Sequence, residues 1–295
     1  MAAIDRNDVA SLIEEGFSTD FLSVAEETSA VLRAFPTVSM GTQTVNLPVV
    51  ASSPEAKFVS EWSDAQGADN TGAVKPTSKV TWGNKTLHAE EIAVIIPVHE
   101  NLIADSSVDI LGEITRQGGA AIARRLDGAV LHGIQKPATW TSKDLAAAAV
   151  AAGQVTTEDS VEDLLDAIYT IEGEMADNGF EDLTVVARKS LSSRLKNQRD
   201  ANGAFLGAGD VLSDFNPVFT KHFGSDHTAF AVDRDSVRIG VRQDITVKLL
   251  DQATVNGVNL AETDQIGVRF VARYAYVLKD DKAVYAIDPA APAAG

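Results

Sequence analysis

The sequence contains no cysteine, a minority of basic residues and no long apolar run, and each shortage excludes a class of protein. Without cysteine there is no disulfide scaffold, no thiolate nucleophile and no cysteine-ligated metal site. Lys and Arg number 25 against 42 Asp and Glu, giving a formal net charge of −17. A surface of this sign repels nucleic acid on average, so any DNA partner is enclosed by the protein or contacted only locally.

The sequence also offers no segment for crossing or passing a membrane. Its longest apolar run, Leu145 to Ala152, is mostly alanine and far shorter than the ~20 residues that span a bilayer. The first residues lack the basic and then apolar pattern of a secretory signal. From these features we expect a soluble, intracellular protein with no membrane partner. With 45% hydrophobic and 23% charged residues, the composition suits about two globular domains.

No arrangement of residues predicts a catalytic centre, a metal site or a cofactor. The His99-Glu100 pair has no second histidine to complete a metalloprotease helix. His222 and His227 lie close together in a glycine-containing loop, where a solvated turn is the simpler interpretation. The glycine-rich run at residues 203–209 has no Gly-Lys-Ser/Thr, which a phosphate loop requires. We therefore expect a protein that is not an enzyme.

A polar segment rich in turn residues extends from residue 55 to residue 86. A predicted short strand, Thr42 to Val50, precedes it, and strand-like pieces flank it at Lys57 to Trp62 and at Lys79 to Trp82. Two interpretations remain open: a surface loop, or a long projecting β-hairpin.

The strongest helix pattern in the chain runs from Ser107 to His132, with apolar residues at intervals of three to four positions. At 1.5 Å per residue such a helix is about 40 Å long and spans a whole subunit. Gly118 and Gly119 lie in its middle. They either allow the helix to bend or let a neighbouring strand pack closely against it.

The second half of the chain contains mostly strands. An alanine-rich connection, Lys136 to Gly153, leads to a helix that ends at Gly179. In the longest predicted strand, residues 266–276, apolar and aromatic side chains occupy one face and Arg269 and Arg273 the other. The apolar face therefore packs inward, and the arginine face is available to a partner. Strands in direct succession favour antiparallel pairing, hence an α+β fold.

The order of the segments resembles that of the major capsid proteins of tailed bacteriophages with the Hong Kong 97 fold. In the first half the matching segments are Glu27-Thr-Ser-Ala-Val-Leu32, Val38-Ser-Met40, Val45-Asn-Leu-Pro48, Phe58-Val-Ser-Glu-Trp62, Ala93 to Val98, Asn101-Leu-Ile-Ala-Asp105-Ser and Arg124-Arg-Leu-Asp-Gly-Ala-Val-Leu-His-Gly133. In the second half they are Val185-Val-Ala-Arg-Lys-Ser-Leu-Ser-Ser-Arg-Leu195, Asp200-Ala-Asn-Gly203, Ala229 to Asp233 and Val268 to Tyr276. The resemblance covers nearly the whole chain.

This resemblance implies a Hong Kong 97-type α+β fold with an N-terminal arm, an extended β-hairpin loop, a peripheral domain with a long spine helix, and an axial domain. The expected ranges are 1–48 for the arm and lead-in strand, 49–86 for the extended loop, 87–140 for the peripheral domain with its spine helix at 107–132, 141–237 for the axial domain, 238–274 for peripheral-domain strands with a tip loop at 251–263, and 275–295 for a C-terminal strand that returns to the axial domain.

The family also implies a function. Its members self-assemble as pentamers and hexamers into an icosahedral shell around double-stranded DNA, through a procapsid that expands. The expected partners are further copies of the chain, a separate scaffolding protein, a portal and, where one is present, a decoration protein. DNA would be enclosed without sequence-specific binding, and no cofactor is expected. The expected location is the virion capsid, assembled in the cytoplasm of a bacterial host.

For such a shell, the candidate assembly contacts are Trp62, Lys75, Lys79, Lys85, Gly118, Gly119, Arg269 and Arg273. Some relatives join the extended loop to a neighbour through a Lys–Asn isopeptide bond. No partner asparagine or acidic helper can be matched in this sequence, so ordinary surface lysines are the favoured interpretation.

Two alternatives to a virus shell remain open. An encapsulin-type compartment shares the fold and packages a protein cargo. An acidic hydrolase, the alternative from a different class, would be a small oligomer with a closed pocket.

Overall fold

The computed structural model of the protein describes residues 29–52, 54, 78–105, 110–157, 161–197, 215–224 and 226–289. The helices in these ranges are α1 (Ala30–Ala34), α2 (Glu100–Asp105), α3 (Ile110–His132), α4 (Leu145–Ala152), α5 (Val161–Asp177) and α6 (Lys189–Lys196). The strands are β1 (Thr37–Met40), β2 (Thr44–Ser52), β3 (Thr81–His88), β4 (Glu90–His99), β5 (Val155–Thr157), β6 (Leu183–Arg188), β7 (Val218–Thr220), β8 (Ala229–Asp233), β9 (Val237–Leu250), β10 (Thr254–Val255), β11 (Val258–Asn259), β12 (Gln265–Leu278) and β13 (Val284–Asp288).

A four-stranded sheet in the order β1-β9-β12-β4 supports the long helix α3. Its central strand β12 buries on one face the side chains that the alternation predicts to point inward, namely Val268, Phe270, Ala272, Tyr274 and Tyr276. From α3 the buried apolar side chains are Ile114, Ile122, Leu126, Ala129, Val130 and Leu131. The two periodicities, 2 for the strand and 3.6 for the helix, thus meet in one core.

The second sheet has five strands in the order β5-β13-β8-β6-β7 and is covered on both faces. In β8, Phe230 and Val232 face the core beneath α3, whereas Ala229 and Ala231 face a smaller core formed with α5 and α6. A strand buried on both faces is apolar throughout, without alternation. Because the first face joins the α3 core, the two sheets share one continuous apolar cluster.

The alanine-rich segment contains helix α4, which corrects the interpretation of residues 136–153 as a connection. Asp144 caps the helix, since its Oδ2 accepts a hydrogen bond from the Ala147 N–H at 3.1 Å. Gly153 ends it in the left-handed conformation with φ 71°. Alanine has the highest helix propensity, but a nearly uniform alanine run has no alternation of apolar and polar residues to mark it as a helix.

Strand pairing is antiparallel along the centre of both sheets, as expected, but three pairs are parallel. They are β1 with β9, β5 with β13, and β6 with β7. In each pair one strand is only three or four residues long and lies at a sheet edge. Such pairs join segments distant in sequence, so succession along the chain does not predict them.

β2 and β3 form a two-stranded antiparallel ribbon, with pairing from Thr44 opposite His88 to Ser52 opposite Thr81. The projecting-hairpin interpretation rests on the pieces 57–62 and 79–82, and Thr81 and Trp82 of the second piece lie opposite Ser52 and Val50. Residues 53 and 55–77 lie outside the described residues.

Helix α3 is continuous through Gly118 and Gly119, both of which are buried. A Cβ at Gly118 would lie 2.8 Å from two ring carbons of Phe270 on β12. Gly118 therefore has the close-packing role, one of the two alternatives for this position. The first three residues of the predicted helix, 107–109, lie outside the described residues. Of the described helices, none is long and apolar enough to cross a membrane.

We expect Gly118→Ala to lower the free energy of unfolding by about 1–3 kcal/mol, because overpacking a filled core costs that much. The gain in helix propensity, about 1 kcal/mol, offsets only part of this loss. Gly173→Ala in α5 is the matched control, since no atom lies within 4 Å of a Cβ there, and it should be stabilising. Urea unfolding of the subunits measures both. Equal stabilisation by the two variants would show that the Phe270 contact is unimportant.

Candidate assembly surfaces

The ribbon of β2 and β3 is anchored at one end and exposed along its length. At the anchored end, Val45, Leu47 and Leu87 pack into a small cluster with Met40, Ala89, Ala275 and Val277. Further along, the Trp82 side chain is 68% exposed and Val80 is 37% exposed. A large aromatic ring in this position is typical of a residue that becomes buried against another molecule.

The predicted lysine and tryptophan contacts are only partly within the described chain. Lys79 is exposed just before β3, and Lys85 is half-buried on β3. Trp62 and Lys75 lie outside the described residues.

Arg269 and Arg273 lie on the face of β12 that points away from α3, as the alternation predicts. The Arg273 guanidinium contacts the Glu91 carboxylate on β4, with an N–O distance of 3.1 Å. Both arginines are half-buried. This face of the sheet therefore carries basic side chains, although the protein is acidic overall.

Asp127 on α3 holds the start of α1 inside the core. Its Oδ1 accepts hydrogen bonds from the Ser29 hydroxyl at 2.7 Å and from the Val31 N–H at 3.1 Å. Its Oδ2 accepts one from the Ala30 N–H at 2.9 Å. The first N–H groups of a helix have no partner within the helix, so a carboxylate from α3 satisfies donors that α1 cannot.

Asp127 is fully buried, and burial raises the pKa of its carboxyl above the ordinary value. The hydrogen bonds from Ser29, Ala30 and Val31 act in the opposite direction and lower that pKa. The buried charge is thus compensated by donors from a segment almost one hundred residues away in sequence.

The C-terminal end of α3 meets the five-stranded sheet at a pair of histidines. His132 Nε2 accepts a hydrogen bond from the Gly224 N–H at 2.9 Å. The His132 and His227 rings stack with centroids 5.8 Å apart, and Phe230 contacts both. His227 Nδ1 lies 2.5 Å from Asp288 Oδ1. This junction joins α3, the loop before β8 and the end of β13.

The His132 pKa is lowered by burial and then by the neighbouring His227, while Asp226 and Asp144 raise it. The hydrogen bond from Gly224 also requires an unprotonated Nε2. A Cβ at Gly224 would lie 3.0 Å from the His132 ring, so glycine permits this close approach. Over the described ranges, no three His, Asp or Glu side chains converge to hold a metal ion.

Comparison with known proteins identifies the family. The model of the phage capsid family matches residues 10–288. A chain from a solved structure of Mycobacterium phage Adephagia is 41% identical, with coverage of 99% of this chain and 100% of that one and a TM-score of 0.81. A chain from Mycobacterium phage Bobi is 44% identical, with the same coverage and a TM-score of 0.79. The chain belongs to the phage capsid family.

This phage capsid protein is a major capsid protein, a structural protein of the virion capsid, and its α+β capsid fold confirms what the resemblance implied. A chain from the capsid of a native GTA particle is only 15% identical and shares the fold alone, with a TM-score of 0.65 over 89% of this chain. Neither the encapsulin-type compartment nor the acidic hydrolase is supported.

Sequence reasoning missed three side chains of this capsid protein. Trp82 belongs to a predicted strand piece. Its exposure follows from the two-stranded pairing of β2 with β3, which the sequence pattern does not show. The helix pattern ends at His132 and predicts no partner for its side chain. Asp127 carried the one detectable signal, because an acid next to Leu126 on the apolar stripe of a long helix needs a buried partner.

We expect Asp127→Ala to lower the free energy of subunit unfolding by about 3 kcal/mol, because three buried donors lose their acceptor. Ser29→Ala is the matched control and should cost only about 1 kcal/mol, the usual loss of a helix cap. Urea unfolding measures both variants. Equal losses of unfolding free energy in the two variants would contradict the role of Asp127 in holding the start of α1.

We expect subunit stability to fall as the pH decreases below about 6.5, the ordinary histidine pKa. A histidine whose folded pKa is lowered contributes stability above its unfolded pKa and loses it as the pH falls through the folded pKa. His132→Phe should be less stable at pH 8 and less sensitive to pH than the wild type. Urea midpoints between about pH 5 and 8 test this, and an unchanged pH slope in His132→Phe would assign the effect to other groups.

Proposed function

We propose that this capsid protein is the repeating subunit of an icosahedral shell, built from pentamers and hexamers around double-stranded DNA. The likeness to the phage chains over nearly the full length, at 41–44% identity, is the observation that carries the proposal. The β2–β3 ribbon adds support, because a projecting element with an exposed Trp82 gains apolar burial only from another molecule.

In this proposal the four-stranded sheet with α3 forms the peripheral domain, and the five-stranded sheet with α4 to α6 forms the axial domain, which meets its copies around the five-fold and six-fold axes. The tip loop, residues 251–263, lies at three-fold contacts between capsomers. The described tip is a hairpin of β10 and β11 joined by Asn256 and Gly257, with φ 51° and 81°. An Asn-Gly pair with positive φ makes a tight two-residue turn.

The charge of the subunit determines how such a shell forms. Each copy carries a net charge of −17, so long-range repulsion opposes assembly, and many repeated short-range contacts overcome it. The same charge lets enclosed DNA remain mobile, because the wall attracts phosphate little. A separate scaffolding protein, a portal and, where one is present, a decoration protein complete the particle. Assembly takes place in the cytoplasm of the bacterial host, followed by procapsid expansion.

Negative-stain microscopy of the purified protein, together with light scattering between about 50 and about 500 mM NaCl, tests the proposal. We expect capsomer rings and closed shells, and an assembly rate that rises with ionic strength because salt screens the repulsion between subunits. A self-contained monomer, or an oligomer smaller than a capsomer, at every salt concentration and also with the scaffolding protein co-expressed would contradict the shell. Shells whose formation is indifferent to salt would contradict the role given to charge.

A further inference from the structure

The face of the four-stranded sheet that points away from α3 carries two pairs of cations. In the pairing of β9 with β12, Arg269 lies opposite Lys248 and Arg273 lies opposite Arg242. Directly opposed residues project from the same face, so the four side chains form a two-by-two array. Four residues along β12 separate the pairs, a distance of about 13 Å. We call this group the cation array.

Like charges directly opposite each other in a sheet are destabilising. Glu91 compensates one corner of the cation array, where it contacts Arg273. At the other end, neither Lys248 nor Arg269 forms an ion pair with any described residue. The Arg269 Nε is buried and finds no hydrogen-bond partner in the described part of the chain. The array therefore retains donors for an anionic group from outside the subunit.

This face is covered at its two ends and open between them. At one end Met40, Leu87 and Val277 pack together at the base of the ribbon. At the other end Leu260 contacts Gly267. Between these ends Lys248 is exposed and Ile95, opposite Arg269 on β4, is 38% exposed. A segment crossing the sheet here would contact cationic and apolar side chains together.

The acidic residues of the chain itself supply a complement to this charge. Residues 1–28 contain seven acidic side chains and one basic side chain. Residues 55–77 contain four acidic and two basic side chains. Since an array about 13 Å long takes several carboxylates at once, the more acidic of the two segments is the better match.

The position of Ser29 favours a segment from a neighbouring copy. Ser29 is buried against Asp127 on α3, and α3 lies on the opposite side of the sheet from the cation array. The subunit's own N-terminal segment would therefore have to pass around the sheet edge. We propose that the cation array binds carboxylates in residues 1–28 of a second copy within the shell. This inference rests on the proposed function and names the partner of the arginine face.

Carbodiimide cross-linking of assembled shells tests the contact, because the reagent joins the Lys248 amine directly to a carboxylate that touches it. Shells are formed from a mixture of ¹⁵N-labelled and unlabelled subunits, and the cross-linked peptides are identified by mass spectrometry. We expect Lys248 to be joined to acidic residues between Asp5 and Glu27, in peptides that combine labelled with unlabelled chains.

Several results would overturn the inference. Cross-links confined to one isotope would mean that the segment belongs to the same subunit. Cross-links to acids elsewhere, or none in intact shells, would remove residues 1–28 as the partner. Protection of Lys248 only in DNA-filled shells would make phosphate the occupant. Absence of any shell would instead contradict the proposed function itself.

Charge reversal gives an independent measurement. The double variant Lys248→Glu with Arg269→Glu should assemble about tenfold more slowly than the control pair Lys221→Glu with Lys282→Glu, which changes the net charge equally at exposed sites. Replacing Glu14, Glu15, Glu26 and Glu27 with lysine changes the net charge of both double variants equally, but it should restore assembly of the reversed-charge variant and speed the control pair much less. Urea unfolding confirms that each variant is folded. Equal slowing by both pairs, or no rescue by the lysine substitutions, would contradict the inference.

Discussion

One apolar cluster, shared by both sheets beneath helix α3, is the constraint on which the rest of the subunit depends. β12 contributes one wall and β8 the other, with α3 and α4 between them. Because β8 is buried on both faces, the five-stranded sheet is held between this cluster and the smaller core under α5 and α6. The ribbon and the tip hairpin extend from this body with little core of their own, and their apolar surface is therefore available to neighbouring copies.

Polar contacts at two positions on α3, Asp127 and His132, orient the helix relative to the segments packed against it. Asp127 and His132 are five residues apart on one helix, yet they bind different parts of the chain: the start of α1 and the loop at Gly224. Apolar packing is non-directional, whereas a buried carboxylate with three donors or an imidazole acceptor requires defined geometry. Protonation of the Asp127 carboxylate or of His132 Nε2 removes an acceptor that these contacts use, so the stability of both contacts depends on pH.

Charge is distributed unevenly over the subunit. Its long-range effect opposes association of subunits, and its short-range effect favours it. At long range the net charge of −17 separates subunits and keeps them soluble. At short range the cation array on the open sheet face attracts carboxylates. Salt screens the first effect more strongly than the second, because partly buried pairs are less accessible to ions. Each contact between subunits is weak, so a misplaced subunit can dissociate during assembly. Many such contacts together make the closed shell stable.

The sequence by itself determined the periodic elements and the family. In α3 the spacing of apolar residues predicts which side of the helix faces a core. In β12 the alternation of apolar and polar residues predicts the same for the strand. The order of segments along the whole chain then identified a capsid fold without any single diagnostic residue. Helix α4 was not predicted, because its nearly uniform run of alanines has no periodic spacing of apolar and polar residues.

Only the tertiary structure decided which distant residues meet. Ser29 and Asp127 lie 98 positions apart in the chain, and their contact depends on how α1 enters the core. Lys248 and Arg269 oppose each other because of the register between β9 and β12, in which a shift of one residue would turn each side chain to the other face. A local pattern predicts which face of its own element a residue occupies. Which residue it contacts depends also on how a second, distant segment packs against that face.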